Sequence, residues 1–217
     1  MSVNLVQKTA EYVKLKLENE VTGHDWYHVE RVYKTAILLQ EKEGGNLKLI
    51  ELAALLHDLG DYKQYDLNEI KGSFVLRGMM DILGLSEKTK EKILKIIEEA
   101  QYNADETKVP STIEGKIIQD ADWLDVLGAI GIARVFATGG KLNRVIYDPN
   151  KKVRKKLTKA EYQHRKSEGT SFNYFYEKIL KLPAMMNTKT AKEIATGRIE
   201  YVKGFMEEFL VECEGKK

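Results

Sequence analysis

The chain has one cysteine, Cys213, and three prolines in 217 residues. A single cysteine cannot close an internal disulfide, and neither a histidine nor a second cysteine stands near Cys213 to share a metal. A reducing, cytoplasmic setting is the expected one. So few prolines leave long segments free to be helical. No apolar run approaches the roughly twenty residues that a membrane span needs. The N-terminal stretch is interrupted by Lys8, Glu11, Lys14, Lys16 and Glu18, where a signal peptide would be apolar. Nor does either charge dominate: 35 Lys and Arg against 33 Asp and Glu leave a formal charge of +2, so any basic site must be local. A general nucleic-acid or membrane binder is thereby disfavoured.

Hydrophobic residues make up 43% and charged residues 31%, the balance of a soluble globular protein with one good-sized core. Apolar positions recur at steps of three and four. Val3, Val6, Ala10, Val13 and Leu17 predict a helix over 3–19, and Val29, Val32, Ala36 and Leu39 another over 26–42, closed by Gly44-Gly45-Asn46. Further helices are predicted over 47–59, 72–84 and from Ser86-Glu87 to about 104. Pro110-Ser111-Thr112 introduces the next, with Ile113, Ile117, Ala121 and Leu124 on its apolar face. The run 129–137 continues helical to Gly139-Gly140, and two last helices are predicted over 172–182 and 188–211. Period-two alternation bounded by turns is absent. The expectation is an all-α, compact single domain over 1–217.

The chemistry concentrates in a few residues. His57-Asp58 ends the apolar run Leu52-Ala53-Ala54-Leu55-Leu56, His28 borders the Val29/Val32 stripe, and Asp120, Asp122 and Asp125 cluster at the end of the Ile117/Ala121 face. Two imidazoles and two carboxylates form a mixed nitrogen and oxygen set that suits a divalent cation: Mn, with Mg, Co, Ni or Fe as alternatives. Carboxylates beside such apolar stripes call for a cation or strong donors, because burying them alone costs several kcal/mol. His24-Asp25 repeats the dipeptide, but Asp25 precedes the helix of His28 and reads as its N-cap, with His24 near the metal or the substrate.

This pattern, a His, a distant His-Asp pair and a further Asp, resembles the HD superfamily of metal-dependent phosphohydrolases. Gly23 to His28, Ala53 to Tyr62, Gln119 to Phe136 and Ser171 to Leu182 extend the resemblance to its stand-alone bacterial and archaeal branch, which includes nucleotide pyrophosphatases. It implies His28, His57, Asp58 and Asp122 as ligands of one divalent ion. Asp61 is implied as a proton carrier, its alternative being a turn residue, and Asp125 as a supporting group or proton carrier. Asp61-Tyr62 stands where alarmone hydrolases carry Glu-Asp. No Gly-Tyr-Pro element follows the His-Asp pair, which separates the chain from the cyclic-di-GMP branch.

The implied reaction converts a nucleoside triphosphate to monophosphate and pyrophosphate. The alternatives are a phosphomonoesterase or phosphodiesterase on the same ion, and a non-catalytic nucleotide- or metal-binding module. Lys63, Arg134 and Lys178 are the candidate phosphate contacts, joined by Asn173 and Tyr176. Phe172, Phe175 and Ile179 fit a core stripe, so Tyr174 and Tyr176 have packing as their alternative role. The least regular stretch, 142–169, carries Lys151, Lys152, Arg154, Lys155 and Lys156; it reads either as a mobile basic flap or as a solvated surface segment.

Overall fold

The computed structural model describes residues 4–21, 23–59, 69–164 and 169–216, all of them helix, turn or irregular chain with no strand. In order the helices are α1 (Leu5–Lys16), α2 (Trp26–Glu43), α3 (Leu47–Leu56), α4 (Glu69–Ile82), α5 (Glu87–Ala100), α6 (Ile113–Asp125), α7 (Gly128–Lys141), α8 (Lys159–His164), α9 (Asn173–Glu177), α10 (Leu182–Met185) and α11 (Lys189–Cys213). Short 3-10 turns occupy Ala104–Glu106 and Ile179–Lys181. No single helix among the described residues is long and apolar enough to cross a membrane.

α3 is the centre of the packing. Leu52, Ala53, Ala54, Leu55 and Leu56 are all buried, so the C-terminal half of this helix is enclosed on every side rather than amphipathic. α2 packs against both α3 and α6, and α5 closes the other side of α3 and α6. Each fully buried leucine in this cluster contributes about 1.5–3 kcal/mol of transfer free energy. The metal-ligand candidates thus come from three helices that pack on one another in the core.

Local sequence sets the helix ends. The Asp25 side chain accepts from His28 N at 2.8 Å and starts α2, while Gly44 at φ 82° ends it with a backbone angle that side-chain-bearing residues avoid. Asn46, Ser86, Thr112 and Thr188 cap α3, α5, α6 and α11 in the same way. α5 stops at Ala100, short of the predicted end near 104, because Gln101 turns extended and Ala104 takes a left-handed φ of 53°. The helix predicted over 172–182 is instead three short pieces. Lys178 departs from helical angles at φ −130°, ψ −59°, and Pro183, at the start of α10, has no N–H to continue the ladder.

Asp120 joins α6 to α11. Fully buried, its carboxylate accepts four bonds: from Asn187 N and Nδ2 at 2.9 and 2.8 Å, and from Thr188 N and Oγ1, both at 2.7 Å. The described part of the irregular stretch is also tied down. Asn173 donates to the carbonyls of Lys151 and Lys152, and Arg154 forks onto buried Glu177 through Nε at 3.0 Å and Nη2 at 2.7 Å. Leu157 exchanges two bonds with Asp105, and Lys159 N donates to Glu106.

Candidate metal centre and its pocket

His28 sits in the first turn of α2, His57 caps the end of α3 with Asp58 next to it, and Asp122 lies in the last turn of α6. Packing of those three helices brings four side chains together. His28 Nε2 lies 3.2 Å from His57 Nε2, 3.3 Å from Asp58 Oδ2 and 3.5 Å from Asp122 Oδ1. His57 Nε2 lies 3.7 Å from Asp58 Oδ1 and 3.9 Å from Asp122 Oδ1.

The bonding of the two outer ring nitrogens decides what the inner ones offer. His57 Nδ1 lies 2.8 Å from the Ala54 carbonyl, which can only accept, so Nδ1 carries the proton. His28 Nδ1 lies 2.7 Å from Asp125 Oδ2 and donates to it. In the neutral rings both Nε2 atoms therefore present lone pairs, and these face one another at 3.2 Å among two carboxylates. Three of these donors, His28, His57 and Asp122, lie close enough together to hold a shared cation, with Asp58 beside them. Donors adjacent on an octahedral ion with bonds of about 2.1 Å are about 3 Å apart, close to the observed separations. The residues fit a divalent ion, as HD domains bind.

Electrostatics prepare the same arrangement. Burial opposes ionisation of Asp58, but the imidazoles of His24, His57 and His28 outweigh it and hold the carboxyl well below its usual range. His24 contributes the shortest of these contacts, Nδ1 to Asp58 Oδ2 at 2.8 Å. Asp125 is likewise buried. Bonds from His28 and from Arg31, with the charge of Arg134, overcome burial and hold it at about 2. Its carboxylate takes Arg31 Nε at 2.7 Å, Arg31 Nη2 at 3.0 Å and Arg134 Nη1 at 3.0 Å. For His28, burial and Arg134 press the pKa down, and the bonds to Asp125 and Asp58 raise it overall.

Beside the cluster is a pocket lined by His24, His57, Asp58 and Asp122 together with Arg134, Arg144 and Lys178 and with Tyr102, Tyr162 and Tyr174. The Asp122 side chain is 34% exposed, so the cluster is open to the pocket on that side. Among the predicted contacts, Arg134 and Lys178 line this pocket. Asn173 and Tyr176 do not: the Asn173 amide is used on the 151–152 backbone, and Tyr176 is exposed with its ring against Phe172. Asp61 and Lys63 lie outside the described residues. The sequence reading missed Arg31, Arg144, Tyr102 and Tyr162, and Arg31 alone had a spacing cue, one helical turn after His28.

The geometry has close parallels among known proteins. The HD domain model matches residues 25–127, a span that includes all four converging side chains. The YpgQ protein of Bacillus subtilis is 33% identical over 206 residues, covering 94% of this chain and 91% of its own. A structure of YpgQ in complex with ADP superimposes with a TM-score of 0.68 at 29% identity, over 92% of this chain and 95% of that one. A Lactobacillus plantarum protein of known structure has a TM-score of 0.88 at 33% identity over 99% of both chains. An HD-superfamily hydrolase of Bacillus thuringiensis is 42% identical, with a TM-score of 0.70 over 96% of both. With the HD domain model matched over residues 25–127 and such relatives matched along nearly its whole length, the chain belongs to the HD domain family and has the fold of an HD-superfamily hydrolase.

Proposed function

We propose that the protein is a divalent-metal-dependent phosphohydrolase that converts nucleoside triphosphates to nucleoside monophosphates and pyrophosphate. The observation that carries this reading is the juxtaposition of an electron-rich His/Asp cluster with a pocket wall of Arg134, Arg144 and Lys178. A phosphate chain is the ligand that satisfies both, its oxygens meeting cations on either side. YpgQ's complex with ADP supports a nucleotide as the source of that chain.

His28, His57, Asp58 and Asp122 would hold the ion. When bound, it supplies the Lewis acidity that lowers the pKa of a water and polarises a phosphoryl oxygen. The rest is the work of the chain. Asp125 is a positioning residue: already engaged by His28, Arg31 and Arg134, it keeps the His28 proton on Nδ1 and leaves Nε2 directed inward. His24 orients Asp58 through Oδ2. Arg134 serves both Asp125 and the pocket wall, which ties the phosphate side of the site to the ligand side. Asp61 accepts the proton released as water adds to phosphorus, the role that the family resemblance implies. The oxygen bridging to the departing pyrophosphate takes the electron pair of the broken bond.

The test is product identification. Protein loaded with Mn and metal-free protein are incubated with a panel of nucleoside tri-, di- and monophosphates, and products are resolved by ion-exchange chromatography. Equimolar monophosphate and pyrophosphate from the triphosphates, with metal only, is the expected result. Orthophosphate released from monophosphates, with no pyrophosphate from any substrate, would make the protein a nucleotidase instead.

A further inference from the structure

Among the described residues, Lys178 is a buried cation without an anion in ion-pair reach. Its exposure is 8%, and no described carboxylate stands within ion-pair distance of Nζ; Asp122 acts on it only from farther away. What surrounds it is aromatic. Nζ lies 4.3 Å from the ring centre of Tyr102, 5.4 Å from that of Tyr162 and 5.7 Å from that of Tyr174. It donates to Tyr162 Oη at 3.2 Å, and Tyr162 Oη lies 3.3 Å from Tyr174 Oη. Tyr102, the nearest ring, attracts the ammonium through its π-system and Tyr162 accepts its bond, but neither neutralises it.

An ammonium has three protons and no acceptor, and among the described residues one of them is used, on Tyr162. Buried charges in proteins are paired, so this group is built for a partner that arrives with the ligand. The cage opens to the same pocket as Asp122. The reacting phosphorus has to lie at the His28, His57, Asp58 and Asp122 cluster, and Lys178 is within ion-pair distance of neither carboxylate there. An anionic group at Lys178 can thus be a different phosphate of the same chain.

We infer that Lys178, with Tyr102, Tyr162 and Tyr174, forms a subsite for the oxygens of the departing, distal phosphates, and that this subsite makes the protein select polyphosphates over monophosphates. The inference rests on the nucleotide-hydrolase reading and adds to it the residues that read chain length. The cage comes from three separate segments: Tyr102 after α5, Tyr162 on α8 and Tyr174 on α9. Tyr162 is held there by the bonds of Asp105 and Glu106 to residues 157 and 159, which gives the pinned segment a reason to be pinned.

The experiment measures binding of inorganic tripolyphosphate to metal-free protein by calorimetry, and steady-state hydrolysis of a nucleoside triphosphate by Mn-loaded protein. Lys178→Met is expected to weaken tripolyphosphate binding and raise KM for the triphosphate by about tenfold or more, the loss of a charge-assisted bond. Lys178→Arg is expected to restore most of both. Exposed Lys152→Met controls for the loss of one positive charge and is expected to leave both unchanged. Unaltered tripolyphosphate binding and KM in a folded Lys178→Met protein would overturn the subsite. Should Lys178→Met fail to fold, Tyr162→Phe removes a single hydroxyl and is read in the same assays; severalfold weaker binding supports the subsite and unchanged binding overturns it. If the wild type binds tripolyphosphate through Lys178 but hydrolyses no nucleotide, the subsite stands and the nucleotide-hydrolase reading falls.

Discussion

Asp125→Asn isolates the part that a buried carboxylate plays without being a metal ligand. The wild-type group is 5% exposed and receives His28, Arg31 and Arg134 at 2.7–3.0 Å. Asparagine keeps the shape and one acceptor but no charge, and its amide can donate to His28 Nδ1, which would move the ring proton to Nε2 and aim it at the cluster. Deleting one partner of a buried ion pair costs about 3–5 kcal/mol. Asparagine's remaining carbonyl retains one donor, and Arg31, whose side chain is 34% exposed, recovers water. A loss of about 2–4 kcal/mol follows, or about 4–16 °C in melting temperature for a chain of this size. Loss of the fixed tautomer is expected to weaken Mn binding by about 10–100-fold. Thermal melts of metal-free protein and calorimetric Mn titration read the two effects separately. Wild-type Mn affinity in the folded variant would refute the assignment of Asp125 as the group that sets His28.

The same carboxyl predicts an acid limit. Its folded value of about 2, against 3.8 for the free side chain, means that its contribution is fully present above about pH 4 and is lost as pH falls toward 2. Metal-free wild type should therefore lose stability across that window more steeply than Asp125→Asn, as urea melts at successive pH values will show; equal slopes would contradict it. Asp120→Ala leaves the buried Thr188 donors and the half-buried Asn187 donors without their acceptor and should cost about 2–4 kcal/mol in urea unfolding. Its Mn affinity, measured on the folded fraction, should fall less than that of Asp125→Asn, since Asp120 faces α11 and not the cluster. Chelation should abolish hydrolysis and lower the melting temperature, with added Mn restoring both; at a free concentration 100 times Kd the ion contributes about 2.7 kcal/mol. Hydrolysis that survived exhaustive chelation would exclude the proposed chemistry.

Much of the fold could be read because local and tertiary demands agree. The uninterrupted apolar run of residues 52–56 could only be an enclosed helix, and it delivers His57-Asp58 into the interior at its end. Asp25, Ser86 and Thr112 act as caps from the positions their side-chain chemistry suggests. The reading failed where one residue's backbone angle decides. Lys178 and Pro183 break the predicted 172–182 helix, although the apolar stripe of Phe172, Phe175 and Ile179 continues across the break and all three are buried. Hydrophobic periodicity reports burial, and short turns bury the same residues as a continuous helix would.

The pocket shows a second kind of limit. His28, His57, Asp58 and Asp122 are unusual residues beside apolar stripes, so each signals itself before the chain is folded. Tyr102, Tyr162 and Tyr174 are ordinary by that measure, and only the packing of three segments around one ammonium distinguishes them. Within α9 one inference was nevertheless available. Tyr174 is four residues before Lys178 and on its side of a helix, whereas Tyr176, two residues before it, is about 200° away. Choosing Lys178 as a phosphate contact should therefore have selected Tyr174 with it, and the turn holds far enough for the Lys178 N–H to bond the Tyr174 carbonyl at 2.9 Å. Cationic and aromatic residues chosen as pairs at helical spacing, rather than singly, carry this information. Tyr102 and Tyr162 have no such partner in sequence, and their part in the cage depends wholly on how α5, α8 and α9 meet.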